Sequence, residues 1–169
     1  MSHKRTDPDY QAQAILSRRD HSIFEVQTKM RRKGFTAAQI RSAITKLKKL
    51  RLLDDHAFAR KYVKETLHFK AVGPRWLVRG LKQKGIGESI IKEALAKNLT
   101  PAREQELINQ AAAKWRRLHP STGSGQAPTG SGQAPTGSGQ APKDRQRLTR
   151  FLVSRGFSYA AMESIKPRR

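Results

Sequence analysis

The sequence predicts an all-α protein: three tandem three-helix, helix-turn-helix-like repeats, elongated, with a disordered Gly/Ser/Pro-rich insert. Three observations predict this. First, residues 26–40, 77–91 and 148–162 align without gaps around Gly34, Gly85 and Gly156. Second, those glycines are 51 and 71 residues apart, and removing a 21-residue array, TGSGQAP repeated three times over 122–142, leaves 50 in the second interval. Internal periods of this size are the mark of tandem repeats. Third, no segment shows convincing strand alternation, whereas the aligned segments carry apolar residues at helical spacing.

Within each aligned segment the physical logic is the same. An apolar residue lies eight before the glycine (Val26, Leu77, Leu148) and four before it (Met30, Leu81, Leu152), on one helical face. A base stands directly before it (Lys33, Lys84, Arg155), suited to the negative end of the helix dipole. The glycine can take positive φ and close the helix. An apolar residue follows at once (Phe35, Ile86, Phe157), and a second helix starts behind it. Thr36 and Gln39 read as its capping box in the first copy.

A further helix precedes each pair. The first is expected over about 10–18. The second begins at Asp54 or Asp55, good cap types, and carries Phe58, Tyr62 and Phe69 with Ala59, Val63 and Leu67 nearby. The third opens at Thr100-Pro101, a cap followed by proline at the first helical position, with Leu107, Ile108, Ala111 and Trp115 on its apolar side. Gly73-Pro74 opens the middle helix of the second copy in the same way. The expected organisation is a flexible N-terminus 1–9, repeats at 10–53, 54–99 and 100–166, a flexible linker at 120–142 interrupting the third, and a basic tail 167–169. The array cannot bury apolar surface, so it is expected to be dispensable for folding, with an r.m.s. span of roughly 25 Å. Its loose echo of a phosphate loop lacks the lysine, the preceding strand and the following helix.

Composition removes several function classes. The 169 residues contain no Cys, which excludes a disulfide scaffold, a thiolate metal site and a Cys nucleophile. No run of 18 apolar residues exists, so no membrane span is expected. Residues 1–20 lack an apolar secretory core, and a cytoplasmic protein is expected. Thirty-five Lys and Arg against 13 Asp and Glu give a formal charge of +22. Such a chain attracts a polyanion: nucleic acid first, an acidic protein groove second. The excess is spread over the chain, +8 in residues 1–54, +8 in 55–120 and +6 in 121–169.

The order Leu52-Leu53-Asp54-Asp55, Phe58-Ala59, Tyr62-Val63, Gly73-Pro74, Lys84-Gly85-Ile86 resembles the signature of the bacterial RecX family of regulatory proteins. So does the ending Arg150-Phe151-Leu152 and Arg155-Gly156-Phe157-Ser158-Tyr159. The resemblance runs from about Ala14 to Ile165, excluding the insert. It implies three three-helix repeats in a curved arrangement. It also implies binding to the RecA recombinase and its filament on single-stranded DNA, with inhibition of ATPase, strand exchange and coprotease activities. Direct contact with single-stranded DNA is implied for some members. Two departures stand out: the array splits the third repeat between its first and second helices, and the tail after Ile165 is short and basic.

The candidate contact residues are bases. Arg75, Arg79 and Lys82 fall within about 60° on one helix, away from Leu77 and Leu81, at about 100° per residue. Arg41 and Lys48 face away from Ile40, Ile44 and Leu47. Arg31, Arg32 and Lys33 form one dense cluster, and Lys46, Lys48 and Lys49 with Arg51 another. Lys84, Arg147, Arg150 and Arg155 complete the set, although any single one can simply solvate a helix. For Lys33, Lys84 and Arg155, dipole compensation alone stands beside a binding role. Trp76 and Trp115 read as packing residues, with stacking on bases as the alternative.

No metal site is expected, because the five His form no i, i+3 or i, i+4 pair. No cofactor is expected either. Enzyme motifs are missing, and Asp54-Asp55, the one adjacent acidic pair, is explained by capping, so the chain is not expected to be an enzyme. The leading expectation is a monomeric regulator of a recombinase filament. The alternative is a stand-alone basic DNA-binding helix-turn-helix protein, although no second helix shows an Arg/Asn/Gln row for base readout. An RNA-binding or ribosome-associated protein is the third reading.

Overall fold

A computed structural model describes residues 7–119 and 140–162. Expectations for residues 1–6, for residues 120–139 of the insert, and for 163–169 with the basic tail lie outside the described residues. Among those described there are nine helices and no strand. They are α1 (Pro8–Leu16), α2 (Ile23–Arg32), α3 (Ala37–Lys49), α4 (Asp55–Phe69), α5 (Pro74–Gln83), α6 (Glu88–Asn98), α7 (Pro101–Leu118), α8 (Gln140–Ser154) and α9 (Tyr159–Met162).

The three glycine turns have one geometry. Gly34, Gly85 and Gly156 have φ of 86°, 72° and 87°. Each glycine N–H donates to the carbonyl three residues back, at 2.9 Å in all three cases. The next N–H donates five residues back: Phe35 to Met30 at 3.3 Å, Ile86 to Leu81 at 3.1 Å, Phe157 to Leu152 at 3.2 Å. This is the Schellman closure, which satisfies carbonyls that a helix end otherwise leaves without partners. A fourth copy closes α3 without glycine. Arg51 has φ 55° there, and Leu52 N–H donates to Leu47 at 2.9 Å.

The caps follow the sequence. Thr36 and Gln39 make the reciprocal capping box of α3. Thr100 accepts from the Arg103 N–H at the start of α7. α1 begins at Pro8, not Tyr10, and ends at Leu16, not Arg18; Asp7 accepts from the Asp9 N–H and proline occupies the first turn. The segment expected to be a flexible N-terminus therefore holds the first two residues of a helix. α8 begins at Gln140, so the last three residues of the expected linker are helical. Pro142 falls in the first turn, where a missing N–H costs no helical hydrogen bond.

The chain divides into two compact units. One comprises residues up to Thr66 with Val78–Asn98, the other Leu67–Leu77 with residues from Leu99 on. In the first unit α1, α2 and α3 pack on one another. Ala12, Ile15, Val26, Met30, Ile40, Ala43, Ile44, Leu47 and Leu53 form their core, with Phe35 tucked partly beneath. Phe58, Ala59, Val63, Leu81, Ile86, Ile91 and Ala94 are also buried in this unit. In the second unit α7 packs on α8 and α9. Its buried residues include Leu67, Leu77, Leu107, Ile108, Trp115, Leu152 and Phe157. Each fully buried aliphatic or Phe side chain contributes about 1.5–3 kcal/mol. Phe69, placed by spacing on the apolar side of α4, is instead 79% exposed.

Candidate functional site

The fourteen candidate bases separate into two groups. Arg31, Arg32, Arg41, Lys49, Arg75, Arg79, Lys82 and Arg150 are exposed, and no described carboxylate forms a salt bridge with them. Lys48 is exposed and its charge is felt by Asp55. The others are engaged. Lys33 Nζ donates to Gln11 Oε1. Lys46 pairs with Asp9. Arg147 lies 3.8 Å from Asp144. The Arg155 guanidinium lies over the Phe151 ring at 5.1 Å.

Lys84 is the clearest departure from the expected contact set. Its amine bonds Glu25 Oε1 at 3.0 Å and sits 5.7 Å from the centroids of both Phe58 and Tyr62. It is a junction residue of the fold.

That junction joins α2 of repeat 1 to the glycine turn of repeat 2, inside the first unit. Ser22 caps α2 and is fully buried. Its hydroxyl donates to the Lys84 carbonyl at 2.6 Å and accepts from the Glu25 N–H at 3.1 Å. Glu25 closes the capping box through the Ser22 N–H and also takes two hydrogen bonds from Arg19. Burial alone raises the Glu25 pKa. The hydrogen bonds from Arg19, Lys84 and Ser22 outweigh it and hold the carboxyl at about 2. Asp54 caps α4 through the His56 N–H at 2.7 Å. Its neighbour Asp55 reaches back and accepts from the Ile23 N–H at 2.9 Å. The adjacent acidic pair therefore caps two different helices. Burial raises the Asp55 pKa against that hydrogen bond.

His21 sits beside this cluster, 3% exposed. Its Nδ1 is 2.8 Å from the Arg19 carbonyl, so Nδ1 carries the proton, and Nε2 accepts from Lys29 at 2.6 Å. Burial lowers its pKa, and the charges of Arg19 and Lys29 add to that against the carbonyl hydrogen bond. Ser22, Glu25 and His21 were not among the candidate residues. The Ser-x-x-Glu spacing at 22–25 is the signal that marks two of them.

The second junction, inside the second unit, repeats the arrangement with backbone alone. Gly73, in register with Ser22, donates its N–H to the Arg155 carbonyl at 2.9 Å. Arg75 N–H donates to the Gly156 carbonyl at 3.2 Å. A Cβ on Gly73 would stand 2.4 Å from the Gly156 carbonyl oxygen, and one on Gly156 2.4 Å from the Trp76 nitrogen. Trp76 packs here with Lys70 5.2 Å over its ring, and Trp115 is buried and stacked on His119. Trp115 thus acts in packing, and Trp76 is half-buried beside the Gly156 turn.

Fold and surface together define a class: a basic, all-α tandem-repeat protein with exposed cations on helices of successive repeats. Residues 11–47 match the first three-helix domain of RecX and residues 54–95 the second. Over 153 residues the chain is 30% identical to the regulatory protein RecX of Chlorobaculum tepidum, covering 90% of this chain and 82% of that protein. It is 36% identical over 100 residues to the regulatory protein RecX of Vibrio parahaemolyticus, covering 59% of this chain and 63% of that one. A crystal structure of a regulatory protein RecX superposes with a TM-score of 0.78 at 25% identity, over 96% of this chain and 72% of the other. The RecX of Lactobacillus salivarius gives 0.77 at 22%, over 98% and 96%. The chain belongs to the RecX family of regulatory proteins.

Proposed function

We propose that this chain binds the RecA recombinase on single-stranded DNA and inhibits its ATPase, strand-exchange and coprotease activities, so modulating DNA repair and recombination. It acts as a cytoplasmic monomer without cofactor or catalytic chemistry of its own. The observation that carries this reading is the row on α5. Arg75, Arg79 and Lys82 are exposed on one face with no described carboxylate paired to them, while Leu77 and Leu81 on the same helix are fully buried. A helix so divided anchors through one side and offers three cations on another. The exposed bases of α2, α3 and α8 extend the same chemistry to the first and third repeats. Acidic protein surface and DNA phosphate are the complementary partners.

Reversing Arg75, Arg79 and Lys82 to Glu tests this. Helicity should be retained, and inhibition of the single-strand-dependent ATPase should weaken by at least tenfold at physiological salt. Unchanged inhibition would remove this face from the account. The formal charge of +22 favours a second reading, direct action on DNA without recombinase. DNA affinity of the isolated protein, followed across salt, separates the two.

A further inference from the structure

The glycine turns of repeats 2 and 3 are occupied by a helix N-terminus, and among the described residues no helix N-terminus lies on the turn of repeat 1. At Lys84-Gly85 the occupant is the capped N-terminus of α2. Ser22 donates to the turn carbonyl, Glu25 pairs with the turn lysine, and Phe24 lies against Gly85, where a Cβ would come within 2.4 Å of it. At Arg155-Gly156 the occupant is the N-terminus of α5. At Lys33-Gly34 no described residue stands within 4 Å of where a Cβ would be, and both residues are exposed. The closure is the same as at the other two turns, with φ 86° and the Phe35 N–H donating to Met30. Arg31 and Arg32 flank it, exposed and without a salt bridge to any described carboxylate. In a tandem repeat the first unit presents the face that its neighbours use internally.

We infer that the Lys33-Gly34 turn is a docking site for the N-terminus of an α-helix on the recombinase, one carrying a Ser or Thr cap and a carboxylate in its first turn. The internal junction at Lys84-Gly85 is the template: a side-chain hydroxyl to the carbonyl of the base, a first-turn carboxylate to a cation, and an apolar side chain over the glycine. The open turn supplies the same carbonyl and glycine; its cations are Arg31 and Arg32, with Lys33 beside them, whose amine donates to Gln11 Oε1 and has further N–H groups to offer. The inference rests on the recombinase reading above and adds a specific contact to it.

Gly34→Asn is the test, because Asn tolerates positive φ and places a side chain over the glycine. The variant should melt within about 2–4 °C of the parent. Its affinity for recombinase assembled on single-stranded DNA should fall at least tenfold, while its affinity for the same DNA alone stays unchanged. Equal filament affinity would overturn the inference and leave the recombinase reading standing. An equal loss on bare DNA would mean that phosphate occupies the turn, which also overturns it. No filament binding by the parent protein would sink the recombinase reading itself. Zero-length carbodiimide coupling of the parent complex gives an independent result. Lys33 should join a carboxylate in the first turn of a recombinase helix, and coupling through other lysines with none at Lys33 would contradict the assignment.

Discussion

The two junctions solve one packing problem with different chemistry. Each seats the N-terminus of a middle helix on the glycine turn of the next repeat. Ser22 and Gly73 hold equivalent positions and engage equivalent carbonyls, those of Lys84 and Arg155. The first junction uses side chains, a buried hydroxyl and a Glu25–Lys84–Arg19 cluster, and so it titrates. The second brings two glycine backbones together and has no ionisable group in its central hydrogen bonds. A repeat constrains where chain segments meet and leaves open which atoms meet there.

The largest effect is expected at the second junction. Gly73→Ala forces a methyl group against backbone atoms of Gly156 and Phe157 at 2.4–2.5 Å, with no flexible side chain to yield. It should cost about 2–4 kcal/mol, at or above the usual range for overpacking because the obstacle is main chain. Both tryptophans lie in the second unit, so denaturant titration followed by their emission checks this. A loss below about 0.5 kcal/mol would mean that the junction opens easily.

A smaller effect, centred on the first junction, comes with acid. The Glu25 carboxyl is lower in the folded state, so its contribution is complete above the unfolded value of 4.5 and is lost as pH falls through about 2. His21 is also lowered, so the folded state prefers neutral imidazole. That contribution is complete above 6.5 and declines as pH falls below it. The Glu25 share is about 1–2 kcal/mol, less than full linkage because solvent reaches the cluster. Between pH 5 and 3 helical circular dichroism should therefore fall before tryptophan emission changes. In Glu25→Gln the stability difference between pH 7 and pH 3 should shrink. Coincident changes in both signals would erase the distinction between the junctions.

The smallest effect has the opposite sign. Arg51 holds the left-handed position that glycine holds at the other three turns. Arg51→Gly should stabilise the protein by about 0.5–1 kcal/mol, read as a higher urea midpoint, because the side chain no longer strains the backbone. No gain would mean that Arg51 makes compensating contacts.

The fold was largely legible because its governing signal is local. A glycine, a base before it and apolar residues at −8, −4 and +1 encode a helix end within ten residues. Thr36-Gln39 and Thr100-Pro101 were legible for the same reason. What escaped depends on separation in sequence. Nothing local places Ser22 against Lys84, 62 residues on, so spacing leaves Lys84 open between dipole compensation and binding and does not single out Glu25. Asp55 looked like a cap for its own helix and proved to cap another. Phe69 shows the limit of periodicity: the spacing is right, but the ring stands largely in solvent, edge-on to its neighbour His68. The α5 row was legible because its neighbours Leu77 and Leu81 fix which side is buried.

The central claim is regulation of a recombinase filament, and one titration tests it most directly. The single-strand-dependent ATPase of RecA should be measured against increasing amounts of this protein, with binding to the same DNA alone as the matched control. Inhibition at protein levels far below those that coat the DNA is the predicted result. Inhibition that appears only as the bare DNA saturates would contradict the account and leave competition for the strand as the mechanism.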